Sequence, residues 1–324
     1  MKREFIYQIS ESDLFATNSS TTISQFLSSK GYSAHILTYL RHHDGTVLLN
    51  GNPSLLKSTI TSGDKLQIIL EEFSNNKVLP IMYEGEPFSI EYEDEDIIVV
   101  NKPAGMPIHP SRGSYENTLG NAIAAYYEAQ GESMVFRCIN RLDKNTSGLT
   151  IIAKNMLSAT LLYEQMVSRN IKRTYTAIVE NNSESSLAKN NTLFNVFTTG
   201  ESGTVNAPIE REQAESIKRC VDFIYGKMAI THYSVLNSND KAALIQLHLD
   251  TGRTHQIRVH MAYLGHPLLG DNIYNPEFNS ALISRHALHA GNLEFSHPIS
   301  GKKLAFSADI PQDIQTCVQT LNMV

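Results

Sequence analysis

The sequence predicts an α+β fold in two units, and three observations lead there. Strand-like and helix-like stretches mix without the regular rhythm of βαβ units, so a doubly wound parallel sheet is disfavoured. The chain has 324 residues, enough for two domains at about 100–200 residues each. Hydrophobic residues make up 41% and charged residues 19%, the balance of a chain that buries a core rather than staying disordered.

The elements follow in order. Ile23, Phe26 and Leu27 share one helix face, and Ile36, Leu37 and Leu40 share a second. Ser33 is the expected N-cap of the second helix, its hydroxyl accepting an early backbone N–H. Thr46 to Leu49 reads as a strand, Asn50-Gly51 as a tight turn, and Lys65 to Leu70 as a strand. The polar stretch 72–78 is the expected linker, and a larger unit starts near Pro80. There, Ile97 to Val100 is a buried strand that runs into a Pro/Gly loop at 101–105. A helix is expected over 118–130, capped by Asn117 or Thr118, then a strand over 149–153 and a helix capped by Asn155. Thr174 to Val179 is β-rich, 181–206 reads as a loop excursion, and Ala243, Ile245, Leu247 and Leu249 alternate as in a half-buried strand. A short helix is expected over 254–264.

Composition excludes several classes of function. No window approaches the ~18 consecutive apolar residues of a membrane span, and the N-terminus turns polar too early for a signal peptide. Cys138, Cys220 and Cys317 lie 82 and 97 residues apart, too far for a disulfide framework or a close-spaced zinc motif. A reduced, cytoplasmic protein is the expectation. Twenty-seven Lys and Arg against 33 Asp and Glu give a net charge of −6, which excludes a wholly basic binder. Charge is uneven, however. Residues 84–96 carry seven acids and no base, and read as a solvated segment before a strand. Residues 137–173 carry seven bases against two acids, either a site for a polyanion or a solvated helix face.

Two polar segments carry candidate chemistry. In 139–149, Arg141, Asp143, Thr146, Ser147 and Gly148 precede an apolar strand. Such a loop can hold one carboxylate ionised and aimed beside cations; alternatively it is a turn with local Asp and Asn bonds. In 249–260, Gly252 and Thr254 suit a strand-to-helix turn that puts Arg253 at the helix entrance, although a surface helix would read the same way. His255 and His260 are five apart and do not share a helix face as a metal pair would.

Together these segments resemble motifs of the RluA-type family of RNA pseudouridine synthases, over about residues 95–300. The motifs fall in the family's order: 100–110, Arg141-Leu142-Asp143 with Thr146-Ser147-Gly148, 172–177, 251–260, 264–271 and 287–290. The family often has His before the Arg-Leu-Asp triplet, where this chain has Asn140. Residues 21–72 resemble, more weakly, an S4 RNA-binding domain. The resemblance implies a catalytic domain over 79–324, with a central mixed, largely antiparallel sheet flanked by helices, and an S4-like domain and linker over 1–78. It implies uridine isomerisation in RNA without a cofactor or metal. The expected partner is RNA, ribosomal first and tRNA second, for a monomer that binds no membrane.

Residue roles follow from the same resemblance. Asp143 is the expected essential carboxylate, acting on C1′ as a nucleophile or removing a sugar proton. Arg253 is expected to pair with it, and Tyr175 to stack on the uracil. Arg141 is expected to fill the space vacated by the flipped base. Lys102, Lys172 and Arg173 are expected RNA contacts, and Ile257 and Leu149 are expected pocket or core positions. Two alternatives stand beside this reading: an inactive S4-type RNA-binding or ribosome-assembly protein, and a glycosidase. The second would need two carboxylates, and only Asp250 and Asp271 offer partners to Asp143.

Overall fold

The N-terminal strand β1 (Lys2–Gln8) opens a four-stranded antiparallel sheet completed by β2 (Val47–Leu49), β3 (Asn52–Pro53) and β4 (Lys65–Glu71), in the order β1-β4-β2-β3. Helices α1 (Ile23–Ser29) and α2 (Ala34–His42) cover it. Thr22 and Gln25 cap α1 reciprocally, and Ser33 Oγ accepts the Ile36 N–H at 3.4 Å. Asn50 and Gly51 both have positive φ, 52° and 82°, the conformation that lets β2 turn sharply into β3. Phe26, Leu27, Ile36, Leu66 and Ile68 form the core of this unit, which also takes in Leu157 from beyond the linker. The computed structural model describes residues 1–14, 21–72, 78–85, 87–111, 115–183, 191–276 and 282–323. Most of the expected linker, 73–77, lies outside them.

The larger unit is built on a nine-stranded mixed sheet. Its strands are β5 (Ser89–Glu93), β6 (Ile97–Lys102), β7 (Ser147–Ala153), β8 (Lys172–Glu180), β9 (Ser202–Asn206), β12 (Ile230–Ser238), β13 (Ala242–Leu249), β14 (Leu288–Ser296) and β15 (Lys303–Ser307). The order is β5-β6-β7-β14-β8-β13-β12-β9, with β15 on β14. Among the described residues only β7 and β14 pair in parallel. A separate hairpin, β10 (Ile209–Arg211) and β11 (Arg219–Val221), stands off the sheet.

Alternation along the strands sorts the two faces. Val100, Tyr175, Ala177, Ile245 and Leu247 face α3 (Leu119–Glu128) and α5 (Gln256–Tyr263). Ile97, Val99, Leu149 and Ile151 pack toward α4 (Met156–Val167), and Ile178 packs with Ile314 and Cys317 of α6 (Gln312–Thr320).

Three sequence expectations change here. The excursion 181–206 contains a true strand, β9, because Val205 turns inward against β12 while its neighbours stay polar and outward. Glu72, placed in the linker, is buried and paired with Arg137 at 2.6 Å. The acidic run is no solvated segment over its last residues. Glu93 accepts from Tyr126, Tyr127 and Lys154, Asp94 from Tyr92, and Asp96 is held by Arg3 and Asn155. The run is therefore a polar anchor on which the N-terminal unit docks. Arg3 reaches Asp96 across 93 residues of sequence, and Leu157 and Leu161 of α4 give it an apolar seat.

Candidate active site

Asp143 lies in the loop that enters β7, and that loop is fixed from several sides. Asn140, where the family often has His, is 1% exposed and acts as a strand partner. Its Nδ2 donates to Leu149 O at 3.0 Å and its Oδ1 accepts the Ile151 N–H at 2.8 Å. Thr146 Oγ1 contacts His286 Nε2 at 2.8 Å and Ser147 Oγ contacts His289 Nδ1 at 2.9 Å. Arg285, itself paired with Asp313, donates to Asn145 O at 3.0 Å. Gly148 has φ 120°, and a Cβ there would overlap the Ala290 backbone. Only glycine lets β7 approach β14 this closely.

The arginine beside Asp143 is Arg258, not Arg253. Arg258 Nη1 donates to Asp143 Oδ2 at 3.3 Å, while its Nε and Nη2 grip Asp271 at 2.7 and 2.8 Å. The guanidinium also lies over the Tyr274 ring, 5.1 Å from its centroid. Burial alone would push the Asp271 carboxyl up, but the hydrogen bonds and charge of Arg258 hold it below the ordinary carboxylate range. Arg253 is exposed at the cleft rim, where its Nε donates to Met228 O at 3.1 Å. The difference comes from the helix start. Gln256 accepts from Thr251 Oγ1 and the Arg253 N–H, closing the turn so that Arg253 faces outward and α5 buries its first residues.

Lys102 also departs from expectation. It is fully buried, and its Nζ donates to Pro103 O, Met106 O and Lys144 O at 2.8, 2.9 and 3.1 Å. It clamps two loops together and cannot meet a phosphate. Burial pushes its pKa down to about 7, Arg285 adds to the shift, and Asp143 opposes it. The three carbonyls also favour the ammonium, which has a proton for each.

The remaining expected residues divide. Tyr175 is 4% exposed and lines the cleft, on the same side of β8 as Arg173. Arg141 is exposed and lines it too, whereas Lys172 is exposed on the opposite face of β8. Ile257 lines the cleft; Leu149 belongs to the core behind the sheet. Arg137, Lys154 and Arg169, counted in the basic window, are taken by Glu72, Glu93 and Asp250.

The cleft has a volume of about 500 Å³. Arg141, Arg173, Arg211, Arg219, Lys227 and Arg253 line it around the Asp143–Arg258 pair, and among the described residues Glu210 is the only other acid. That excess of positive charge suits a polyanion. The Arg173 Nε is buried in this wall without a hydrogen-bond partner. Arg258, Arg211, Arg219, Lys227 and His255 escape the sequence reading. Arg258 alone carries a local signal, since it sits between apolar Ile257 and Val259. Among the described residues one group has the spacing to hold a metal, Asp94, Asp96 and His297. Their oxygens are already occupied by Tyr92, Arg3, Asn155 and backbone N–H groups, so the cluster reads as the docking anchor described above.

Comparison with known proteins agrees with this architecture. The family model for RNA pseudouridylate synthase matches residues 96–263. The Bacillus subtilis RNA pseudouridine synthase YhcT is 36% identical over 276 residues, covering 85% of this chain and 84% of its own length. Ribosomal large subunit pseudouridine synthase D of Zymomonas mobilis is 39% identical over 247 residues, covering 72% and 73%. The Escherichia coli protein of the same name is 35% identical over 291 residues, covering 86% and 83%. Human RNA pseudouridylate synthase domain containing 4 shares the fold, with a TM-score of 0.55 at 22% identity over 72% of this chain and 93% of its own. With a half-buried ion pair in a basic cleft and relatives of this similarity over most of its length, the chain belongs to the RNA pseudouridine synthases, isomerases that convert uridine in RNA to pseudouridine.

Proposed function

We propose that the enzyme modifies uridines of large-subunit ribosomal RNA, with Asp143 as its reactive carboxylate. The observation that carries the site assignment is the Asp143–Arg258 contact at 3.3 Å on the floor of a cleft lined with cations. The ribosomal target follows the similarity to the large-subunit enzymes.

A uridine stacked in folded RNA hides its C1′, so it must leave the stack to reach the carboxylate, at a cost of a few kcal/mol. Phosphate contacts around the cleft offset that cost. Arg141, at the mouth, is suited to occupy the vacated stack, since a guanidinium both stacks and pairs with phosphate. Tyr175 offers its ring to the uracil while the N1–C1′ bond is broken, the base turns and C5 bonds to C1′. Asp143, held by Arg258 at 3.3 Å, either attacks C1′ or removes a sugar proton. Arg173, with an unpartnered buried Nε facing this wall, is suited to a phosphate or base oxygen. The weakly charged N-terminal unit, read as an S4-like domain, selects the RNA rather than supplying most of the affinity.

The test is to map pseudouridines in total RNA from cells with and without the gene, and with Asp143→Asn restored. Pseudouridines missing from large-subunit rRNA and not recovered by Asp143→Asn are expected. Losses confined to tRNA would reject the target, and full recovery would reject the carboxylate.

A further inference from the structure

His255 stands beside Asp143 in the left-handed region, with φ 57° and ψ 19°, just before α5 begins. Histidine is among the few residues that enter this region with any frequency. The conformation turns the ring back over the cleft, which it lines.

Two donors converge on one carboxylate oxygen. Arg258 Nη1 is 3.3 Å from Asp143 Oδ2, and His255 Nε2 is 3.9 Å from the same atom. Among the described residues no hydrogen bond reaches Oδ1. The far side of the imidazole is fixed by Tyr274, whose hydroxyl lies 3.0 Å from Nδ1 and accepts the Arg219 N–H at 2.9 Å. The hydroxyl still has its own proton to donate, and Nδ1 is an acceptor within reach. The neutral ring then carries its hydrogen on Nε2, directed at the carboxylate. Burial lowers the pKa of His255 and favours the neutral ring, with the charge of Asp143 opposing.

We propose that His255 is a positioning residue. Together with Arg258 it anchors Asp143 through Oδ2, and so presents Oδ1 to the flipped uridine. A carboxylate held by one long bond rotates and offers either oxygen; two donors on one oxygen stop that rotation. The 3.9 Å separation exceeds a hydrogen bond by about 1 Å. Contacts of this kind tighten in the complex with substrate. Tyr274 extends the support to β11, so the hairpin that lines the cleft also steadies the reacting group. The inference rests on Asp143 being the reactive carboxylate.

Single-turnover tritium release from C5-labelled RNA, RNA affinity and melting temperature test it, on His255→Leu, His255→Gln and Tyr274→Phe, with Asp143→Asn alongside. His255→Leu is expected to slow the single turnover by about 10- to 100-fold, the scale of a misplaced reacting group, with RNA affinity unchanged. His255→Gln, which keeps an amide N–H near the Nε2 position, recovers most of that loss. Tyr274→Phe slows turnover less, and adds nothing when combined with His255→Leu. A folded His255→Leu enzyme at the wild-type rate, or a folded His255→Gln enzyme no faster than it, overturns the proposal while an inactive Asp143→Asn keeps the reading of Asp143. An active Asp143→Asn removes that reading instead. Should His255→Leu not fold, Tyr274→Phe decides, and an unchanged rate for it overturns the proposal.

Discussion

Arg258 and Arg253 sit five residues apart in one motif and do different work, which makes them separable by substitution. Arg258→Met leaves Asp271, fully buried, without its partner and Asp143 without its one short-range cation. Removing one member of a buried pair costs about 3–5 kcal/mol, so this variant is expected to lose both stability and turnover. Arg253→Met removes an exposed rim cation, and is expected to weaken RNA binding with little change in single-turnover rate or melting temperature. Equal loss of turnover in both variants would return Arg253 to the reacting centre. Lys102 yields a sharper stability prediction. Lys102→Met strands three carbonyl acceptors at once, two of them buried. At about 1–3 kcal/mol for each unsatisfied group, a loss of at least a few kcal/mol is expected in urea unfolding. A variant as stable as the wild type would mean the ammonium is not the clamp the geometry makes it.

At the scale of elements, the junction of β7 with β14 decides where the Asp143 loop can lie. Among the described residues it is the single parallel pairing of the large sheet, and it spans two residue pairs, Ser147 with His289 and Gly148 with Ala290. Gly148→Ala must push the Ala290 backbone away and hold a side chain at φ 120°. Such a substitution is expected to cost about 2–4 kcal/mol, by overpacking and backbone strain together. Because Thr146 and Ser147 hang from His286 and His289, the loop shifts with the strand. Activity is therefore expected to fall further than stability, as read by tritium release at a temperature where circular dichroism still reports a folded protein. Intact activity in a folded Gly148→Ala enzyme would mean that the loop holds its place without this junction.

Across the whole molecule, buried histidines set the response to acid. Burial lowers the pKa of His260, His266, His286 and His289, and brings His286 down to about 3. In the unfolded chain each titrates near ~6.5. Between those values the unfolded state binds the extra protons, so stability falls as pH drops through that window. Glu72, raised by burial, works the other way as one group against four. A urea midpoint clearly lower at pH 5 than at pH 7.5 is expected; an unchanged midpoint would contradict the buried neutral rings. The N-terminal unit gives a second whole-molecule prediction. Of its six bases, Lys2, Arg3 and Lys30 are already paired with acids, leaving Arg41, Lys57 and Lys65 exposed. Deleting 1–78, which also removes Lys77, should then lower the salt slope of RNA binding by no more than about 0.9 for each of those three and for Lys77. The same deletion uncovers Leu157 and Leu161 and should lower the melting temperature. A much larger fall in the slope would make this unit the main RNA anchor.

Local chemistry was legible in the sequence wherever a single element settles the matter. The caps at Ser33, Thr118 and Asn155, the Asn50-Gly51 turn, the alternation of β13 and the buried run of β6 each depend on neighbours a few residues away. The order of motifs around Asp143 and Tyr175 identified the family for the same reason, since each motif is a short local structure. What escaped is what the sheet order brings together. The Asp143–Arg258 contact joins residues 115 apart, Thr146 meets His286 across 140, and Arg3 meets Asp96 across 93. Periodicity says that Arg258 lies on a helix, but not that the helix is walled in with Asp143 and Asp271 as the counter-charges of that arginine. Likewise Lys102 reads as one more surface lysine until strand pairing buries it against three carbonyls. Hydrophobic period and turn chemistry are properties of consecutive residues and so belong to the sequence. The partner of a buried charge is set by which strands lie side by side, and only the tertiary structure decides that.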